Sequence, residues 1–289
     1  MARSVLLKNG NACVIQSSMR EFLLESPRGA YTVMRTINRC RQIVCFDYHV
    51  QRLSSSTDAM IHEHLNPGSL SNRILENIRN GISLFDEKDE NLTIAVLVPT
   101  EGHDMNNPVP IWLHLSPFRH KQRLSVTVEG MRASRKQFGT TKDSLWAKMR
   151  QDLLKAKHSD VNEVVLIDDD DRLLEGLSSN VFVVNAEGRL QTAPVADGII
   201  AGTIREVLLA ACKANQIEVV EQSPDWNQRR SWKGAFLTST SRLVLPIHEI
   251  LDSVSGDDSV KFAAIPEIIH RCCELTETDI GKHCRNIYD

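Results

Sequence analysis

The sequence of 289 residues contains no apolar run of 18 residues, and its formal net charge of −3 is small. A membrane-spanning helix needs about 20 mostly apolar residues, so a membrane protein is not predicted. The chain also lacks the basic face that is typical of proteins binding nucleic acid. Its first residues show neither the apolar segment of a secretory signal nor the Arg- and Ser-rich character of a transit peptide. We therefore expect a cytoplasmic protein that binds neither membranes nor nucleic acid.

The seven cysteines are odd in number and include no Cys-x-x-Cys pair. This pattern favours reduced thiols of a cytosolic protein over a disulfide framework. Near the end, His270, Cys272, Cys273, His283 and Cys284 are residue types that also bind zinc. Cys272 and Cys273 look like one side of a terminal helix, so burial is the preferred explanation and no metal is predicted.

Strand and helix patterns mix along the chain without internal repeats, which predicts an α+β (mixed α/β) fold. Two hairpins are predicted over residues 5–15 and 31–46. Asp47 then predicts the N-cap of a helix. Further helices are predicted over residues 144–157 and, closing the chain, 260–275.

The length suggests two modest domains. We place the division near residues 117–122, where the composition becomes basic and polar. Residues 1–120 form the predicted small N-terminal domain, with a loop over residues 101–107. Residues 121–289 form the predicted larger C-terminal domain.

Residues 172–185 attract attention because an acid, Glu175, stands shortly before the apolar run 181–184. The β-branched and aromatic run predicts a buried strand. A buried acid is costly unless a cation meets it, so Glu175 is either a binding residue or an exposed turn acid. The four acids 168–171 suggest a cation site, but solvated turn acids are commoner.

Three further features favour an anionic ligand. Arg52 lies early in a predicted helix and carries a planar cation suited to phosphate. Residues 202–205 open a helix, where free N–H groups attract anions. Residues 238–241 end a strand with several hydroxyls. Together with Glu175, they suit a phosphorylated pyridine whose ring nitrogen an acid keeps protonated.

With these motifs in this order, the chain resembles the fold-type-IV pyridoxal 5'-phosphate (PLP) enzymes. These include branched-chain and D-amino-acid aminotransferases and aminodeoxychorismate lyases. The resemblance extends over roughly residues 5–250. The matching segments are Gly-Ala-Tyr-Thr-Val (29–33), Phe-Asp-Tyr-His-Val-Gln-Arg-Leu (46–53), Thr-Lys-Asp-Ser-Leu (141–145), Glu-Val-Val-Leu-Ile-Asp (163–168), Glu-Gly-Leu-Ser-Ser-Asn-Val-Phe (175–182), Ala-Gly-Thr-Ile-Arg (201–205) and Phe-Leu-Thr-Ser-Thr (236–240).

The resemblance implies that Lys142 forms the Schiff base with PLP and that Glu175 pairs with the pyridine nitrogen. Lys148 is the rival lysine, but it falls inside the predicted helix. The remaining cofactor-binding residues that we predict are Arg52, Asn180, Thr203, Ile204, Ser239 and Thr240.

On the substrate side, the resemblance implies that Tyr31 lines the pocket and that Trp146 lies beside the ring. The substrate carboxylate requires a donor or a cation. The backbone N–H of Ser241, Arg132 or Arg135 are the candidates, although either arginine also suits an ordinary loop charge.

This chain departs from the family pattern at several positions. The usual Gly-Ile-Thr-Arg is Gly-Thr-Ile-Arg here, so Thr203 and Ile204 are exchanged. We expect that restoring the usual order leaves cofactor binding unchanged or modestly tighter. Thr32 replaces an acid, Leu145 replaces an Asn, and residues 25–29 replace a Phe-Gly-Asp-Gly segment.

We predict a PLP-dependent aminotransferase that moves an amino group between an amino acid and a 2-oxo acid through Lys142. A lyase of the aminodeoxychorismate type uses the same lysine, and a non-catalytic protein on the same fold is the third possibility. The resemblance further implies a homodimer, with the cofactor between the two domains of a subunit.

Overall fold

The computed structural model describes residues 4–85, 90–101, 107–119, 123–256 and 258–288. The chain divides into two compact units. Unit 1 comprises Met1–His120, Thr141–Met149 and Gly281–Asp289, and unit 2 comprises Lys121–Thr140 and Arg150–Ile280. The predicted loop 101–107 and the predicted division 117–122 lie partly outside the described residues.

The segment that carries Lys142 belongs to unit 1, whereas the prediction placed it in the C-terminal domain. Backbone hydrogen bonds explain this difference. Tyr31 N donates to Lys142 O at 2.9 Å, and Ser144 N donates to Gly29 O at 2.9 Å. These bonds attach Thr141–Met149 to the strand that begins at Gly29.

The strands of the described chain are β1 (Ser4–Lys8), β2 (Asn11–Ile15), β3 (Gly29–Ile37), β4 (Gln42–Val44), β5 (Leu92–Pro99), β6 (Trp112–Pro117), β7 (Val126–Arg132), β8 (Glu163–Ile167), β9 (Leu173–Gly176), β10 (Asn180–Val184), β11 (Leu190–Thr192), β12 (Val219–Glu221), β13 (Gly234–Ser239), β14 (Leu243–Asp252), β15 (Val260–Lys261) and β16 (Cys284–Asn286). The α-helices are α1 (Met19–Glu25), α2 (Phe46–Ile61), α3 (Pro67–Ile82), α4 (Leu145–Met149), α5 (Gln151–Ala156), α6 (Thr203–Ala214) and α7 (Glu267–Ile280).

Unit 1 is built on an antiparallel sheet with the order β16-β4-β3-β5-β6-β1-β2. Both predicted hairpins are confirmed, since β1 pairs with β2 and β3 with β4. At the first turn, Asn9 and Gly10 have φ of 51° and 87°, the left-handed values that a tight hairpin turn requires. Buried side chains of α2 and α3, including Leu53, Ile74 and Ile78, join the core of this sheet.

The start of α2 differs from the prediction. The helix begins at Phe46 with Cys45 as its N-cap residue, in a left-handed conformation and without a side-chain cap. Asp47 is not the N-cap but lies in the first turn, where its charge still favours the positive end of the helix dipole. His49 and Arg52 are three residues apart in the sequence, and because both belong to α2 they lie on one face of the helix.

Unit 2 contains a sheet in the order β12-β11-β10-β13-β14-β7-β8-β9, and β9 also pairs with β10. The strands β10, β13, β14, β7, β8 and β9 therefore form a closed ring of paired strands. Phe182 of β10 and Phe236 of β13 stack at a centroid distance of 5.0 Å. Both belong to a core that also contains Leu208 of α6 and Cys272 of α7.

Two predicted helices differ from those in the structure. The closing helix is α7, which begins at Glu267, while residues 260–261 form a strand. Pro266 explains the late start, because proline has no N–H to donate and is tolerated only at a helix beginning. The helix predicted over residues 144–157 is two helices, α4 and α5, interrupted at Arg150.

Among the described residues, no helix combines the length and the hydropathy that a membrane span requires. Cys272 is buried in the core of unit 2, and Cys284 lies on β16 of unit 1. Within the same described ranges, no three His, Cys, Asp or Glu side chains converge as metal ligands do.

Candidate active site

Lys142 lies at the start of the α4 segment, against strand β3. Its Nζ atom lies 4.9 Å from the centroid of the Tyr31 ring. Its backbone is fixed on both sides, because its N–H donates to Ser56 Oγ at 3.1 Å and its carbonyl accepts from Tyr31 N at 2.9 Å. The predicted Schiff-base lysine is therefore held by α2 and β3 while its side chain is half-buried.

The rival lysine has a different environment. Lys148 is exposed on α4, and its Nζ is 3.5 Å from Ser26 O. Trp146, on the same short helix, is buried. An exposed helical lysine is the ordinary surface case, so the structure favours Lys142 over Lys148.

Arg52 is held by two uncharged side chains of unit 1. Its Nη2 donates to Thr32 Oγ1 at 3.0 Å and lies 3.3 Å from His49 Nδ1. Thr32 Oγ1 is in turn 2.7 Å from His49 Nδ1. Arginine can only donate, so Thr32 Oγ1 and His49 Nδ1 both accept from Arg52. Because Nδ1 is then an acceptor without a proton, the Thr32 hydroxyl donates to it.

His49 is neutral in this arrangement. Complete burial lowers the pKa of its imidazole well below 6.5, and the charges of Arg52 and Lys142 lower that pKa further. With Nδ1 accepting from Thr32, the ring proton is assigned to Nε2. His49 is not among the site residues predicted from the sequence, although its position three residues before Arg52 indicates that the two share a helix face.

Glu175 lies on strand β9 rather than in an open turn, and it pairs in register with Asn180 of β10. Its carboxylate is buried, with the side chain 5% exposed. Oε2 accepts from Ile200 N at 3.1 Å and from Asn180 Nδ2 at 3.4 Å, and Oε1 accepts from Arg135 Nη1 at 3.4 Å. The cation that a buried acid requires is thus Arg135, itself only 2% exposed.

Asn180 connects Glu175 to the start of α6. Its Nδ2 also donates to Ile200 O at 2.8 Å. A Cβ atom at Gly202 would lie 1.9 Å from Asn180 Oδ1, so only glycine permits this approach at the N-cap of α6. Asn180 therefore positions both the acid and the helix N-terminus.

The two hydroxyl-bearing loops predicted to bind phosphate meet in unit 2. Thr203 Oγ1 at the start of α6 is 3.1 Å from Thr240 Oγ1 in the turn after β13. In that same turn, Ser239 Oγ is 3.4 Å from Ser241 Oγ. Ile204 is fully buried, so its side chain belongs to the core and only its backbone remains available.

Thr238 directly precedes this turn and pairs with Asn180 across the sheet. Its buried Oγ1 has no hydrogen-bond partner within the described part of the chain. A buried hydroxyl is normally satisfied. This donor, beside Asn180 and close in sequence to Thr240, fits a site made for a polar ligand.

The arginines predicted to hold the substrate carboxylate have other partners. Arg132 donates to Asp168 O and to Asp171 Oδ1, both at 2.6 Å, and its side chain is 42% exposed. Asp168 also accepts from the Arg172 guanidinium at 2.7 Å. The acidic turn 168–171 is thus matched by arginines, and Arg132 is directed to it rather than to Glu175. Arg135 is the arginine that the structure brings to Glu175.

Comparisons with known proteins bear on the family and on the fold of this chain. The family model described as amino-transferase class IV matches residues 29–250. A putative branched-chain-amino-acid aminotransferase of Methanocaldococcus jannaschii is 33% identical over 107 residues. That alignment covers 37% of this chain and only 37% of the relative's length.

Solved structures match over nearly the whole chain. A branched-chain aminotransferase of Thermoproteus uzoniensis with norvaline has a TM-score of 0.77 at 18% identity and covers 99% of this chain and 100% of its own. A hypothetical aminotransferase of Mycobacterium tuberculosis in its PLP-bound form has a TM-score of 0.75 at 15% identity and covers 96% and 99%. At these identities the likeness shows the fold, and it confirms the predicted fold type IV. The family match spans most of the sequence, and the chain belongs to the class IV aminotransferase family.

Proposed function

We propose that this chain is a PLP-dependent aminotransferase, which moves an amino group between an amino acid and a 2-oxo acid. The observation that carries the proposal is the position of Lys142. It is half-buried, fixed through its backbone by Tyr31 and Ser56, and lies inside the segment that matches the family. A lysine that must act as a nucleophile and move a proton requires such a fixed and partly dry position.

The residues present fit the cofactor. Arg52 offers a cation for the phosphate, and the α6 N-terminus with Thr240 offers N–H and O–H donors. Glu175 offers a buried carboxylate for the ring nitrogen. When bound, PLP withdraws electrons from the substrate's α-carbon. Asn180, Ser239 and the backbone N–H groups of Thr203 and Ile204 complete the proposed cofactor contacts.

The proposal gives a separate role to each of the remaining site residues. The Lys142 amine attaches the cofactor and then moves the proton of the substrate's α-carbon. The Glu175 carboxylate keeps the ring nitrogen protonated. Tyr31 and Trp146 line the substrate side, and the Ser241 N–H binds the substrate carboxylate. Arg135 acts through Glu175, because its guanidinium contacts that acid.

Branched-chain amino acids are the first substrates to test, since the Methanocaldococcus and Thermoproteus relatives carry that name. A homodimer in the cytoplasm completes the proposal. The seven free thiols suit a reducing compartment, and closed twofold assemblies are the commonest oligomers. Sedimentation at micromolar concentration tests the dimer, and a pure monomer would contradict it.

The deciding experiment is an absorbance spectrum of the purified protein with and without added PLP, followed by a screen of amino acids against 2-oxo acids. We expect a visible cofactor band and transfer of the amino group to a 2-oxo acid. Pyruvate formation without an amino acceptor would favour the lyase. A protein that stays colourless with excess PLP would favour a non-catalytic role.

A further inference from the structure

The hydroxyl of Thr203 contacts the hydroxyl of Thr240, which joins two loops of unit 2. Their Oγ1 atoms are 3.1 Å apart. Thr203 is the first residue of α6, after the N-cap Gly202. Thr240 lies between β13, which ends at Ser239, and β14, which begins at Leu243. Under the proposed function, on which this inference rests, both loops bind the cofactor phosphate.

This contact depends on a departure of the chain from its family pattern. The usual order places an apolar residue first and the threonine second, whereas here Thr203 precedes Ile204. Both side chains are buried, at 4% and 1% exposure. Ile204 therefore occupies a core position, while the hydroxyl at Thr203 is directed to the opposite loop.

We propose that Thr203 is a positioning residue, whose hydroxyl fixes the Thr240 hydroxyl for phosphate binding. A hydroxyl has one proton to donate and two lone pairs that accept. The Thr240 hydroxyl can therefore take part in the contact with Thr203 and in a bond to a phosphate oxygen at the same time. A phosphate acceptor at the end of this chain strengthens both bonds through mutual polarisation.

The contact also lowers the entropic cost of binding. Thr240 stands in a turn and is only half-buried. Ordering such a side chain at the moment of binding costs free energy, and a group that is already held in place avoids most of it. The Thr203 bond thus pre-orders the loop that faces the phosphate.

The test measures the affinities of the apoprotein for PLP and for pyridoxal, which lacks the phosphate. We expect Thr203→Val to weaken PLP binding about five- to tenfold, the usual range for one hydrogen bond to a charged network. Pyridoxal affinity should stay unchanged, because Lys142 and Glu175 are intact. Thr203→Ser, which keeps the hydroxyl, should bind PLP as the wild type does.

A double-mutant cycle sharpens the test, because in a Thr240→Val background the further change Thr203→Val should have no effect on PLP affinity. The matched control is Thr192→Val. It removes another buried threonine hydroxyl of unit 2, which donates to Val181 O at 2.7 Å. This control should lower stability and leave the ratio of PLP to pyridoxal affinity unchanged.

The double exchange Thr203→Ile with Ile204→Thr should weaken PLP binding, which reverses the expectation from the sequence. The proposal is overturned if wild-type protein binds PLP and Thr203→Val binds it equally well, or if that variant loses PLP and pyridoxal affinity in the same proportion. Thr203→Ala serves if the valine variant does not fold. Wild-type protein without PLP affinity would overturn the proposed function instead.

Discussion

The two groups of candidate site residues balance charge in opposite ways. In unit 1, Arg52 contacts the uncharged Thr32 and the neutral His49. In unit 2, Glu175 contacts the cation Arg135 and two amide donors. A cation supported by neutral partners attracts an anionic ligand strongly, whereas an acid that already has a cation beside it changes little when a ligand arrives. The group around Arg52 in unit 1 is therefore suited to binding an anion. The group around Glu175 in unit 2 is suited to holding a fixed negative charge.

The family pattern brings out the same contrast, because an acid is usual where Thr32 stands. A carboxylate at position 32 would place a negative charge beside Arg52. Thr32 instead supplies a hydroxyl at 3.0 Å, which adds no negative charge beside Arg52. The variants below test whether the two groups differ in this way.

The largest effect is expected from Lys142→Ala, which removes the proposed covalent attachment. Turnover should fall about a thousandfold or more, since one side chain serves as nucleophile and proton carrier. Non-covalent PLP binding should persist through Arg52 and Thr240. Borohydride reduction followed by peptide mapping checks the site. Lys148→Ala is the matched control, and labelling of Lys148 instead would refute the assignment.

A smaller effect is expected from Glu175→Gln, which keeps the shape and removes the fixed charge of unit 2. Covalent attachment should be intact because Lys142 is unchanged. Removal of the α-proton should slow about a hundredfold, since the amide no longer stabilises a protonated ring nitrogen. Single-turnover kinetics with α-deuterated substrate measure this step. Full activity would show that Glu175 is only a structural acid of β9.

Arg52→Ala tests the anion-binding group of unit 1. It should weaken PLP binding by about 2 kcal/mol, or roughly thirtyfold. The control is Arg172→Ala. Arg172 contacts Asp168 and Asp170 of the acidic turn, which is not part of the proposed cofactor site, so PLP affinity should stay unchanged. Equal PLP affinity in the two variants would remove the distinction drawn between them.

The sequence predicted these groups unevenly, for identifiable reasons. Strand β10 and helix α6 carry strong local patterns, namely the run Val181–Phe182–Val183–Val184 and a helix beginning at a glycine. The order of motifs then led to the prediction that Lys142 and Glu175 bind the cofactor. The error at Asp47 arose because the left-handed conformation of Cys45 leaves little local signal. At the closing helix, Pro266 was a local signal for a later start that the prediction did not use.

The contacts of the arginines were not predictable from local pattern. Arg132 and Arg135 lie three residues apart, with similar local composition. One pairs with Asp171 and the other with Glu175, and these acids are 39 and 40 residues away along the chain. Only the pairing of β7, β8 and β9 decides which arginine meets which acid. The same holds for Thr203 and Thr240, whose contact requires α6 and β13 to be packed.

The smallest effect concerns stability and tests whether the support of Arg52 is uncharged. Burial, and then the charges of Arg52 and Lys142, lower the pKa of folded His49 well below 6.5. In the unfolded chain His49 takes up a proton near pH 6.5, so below that pH the unfolded state binds more protons than the folded state. The free energy of unfolding should therefore fall as the pH drops below about 6.5, by up to about 1.4 kcal/mol per pH unit from this residue.

His49→Asn keeps an acceptor for Thr32 and cannot titrate, so its unfolding free energy should depend less on pH between about 7 and 5. Burial also lowers the pKa of His114, which contributes a slope of the same sign. His114→Asn should also reduce that slope, without affecting PLP affinity. Urea unfolding of the apoprotein at several pH values measures the difference. An unchanged pH dependence in His49→Asn would mean that the pKa of His49 is the same in the folded and the unfolded protein. His49 would then take up a proton beside Arg52 at low pH, and the contrast between the two groups would be lost.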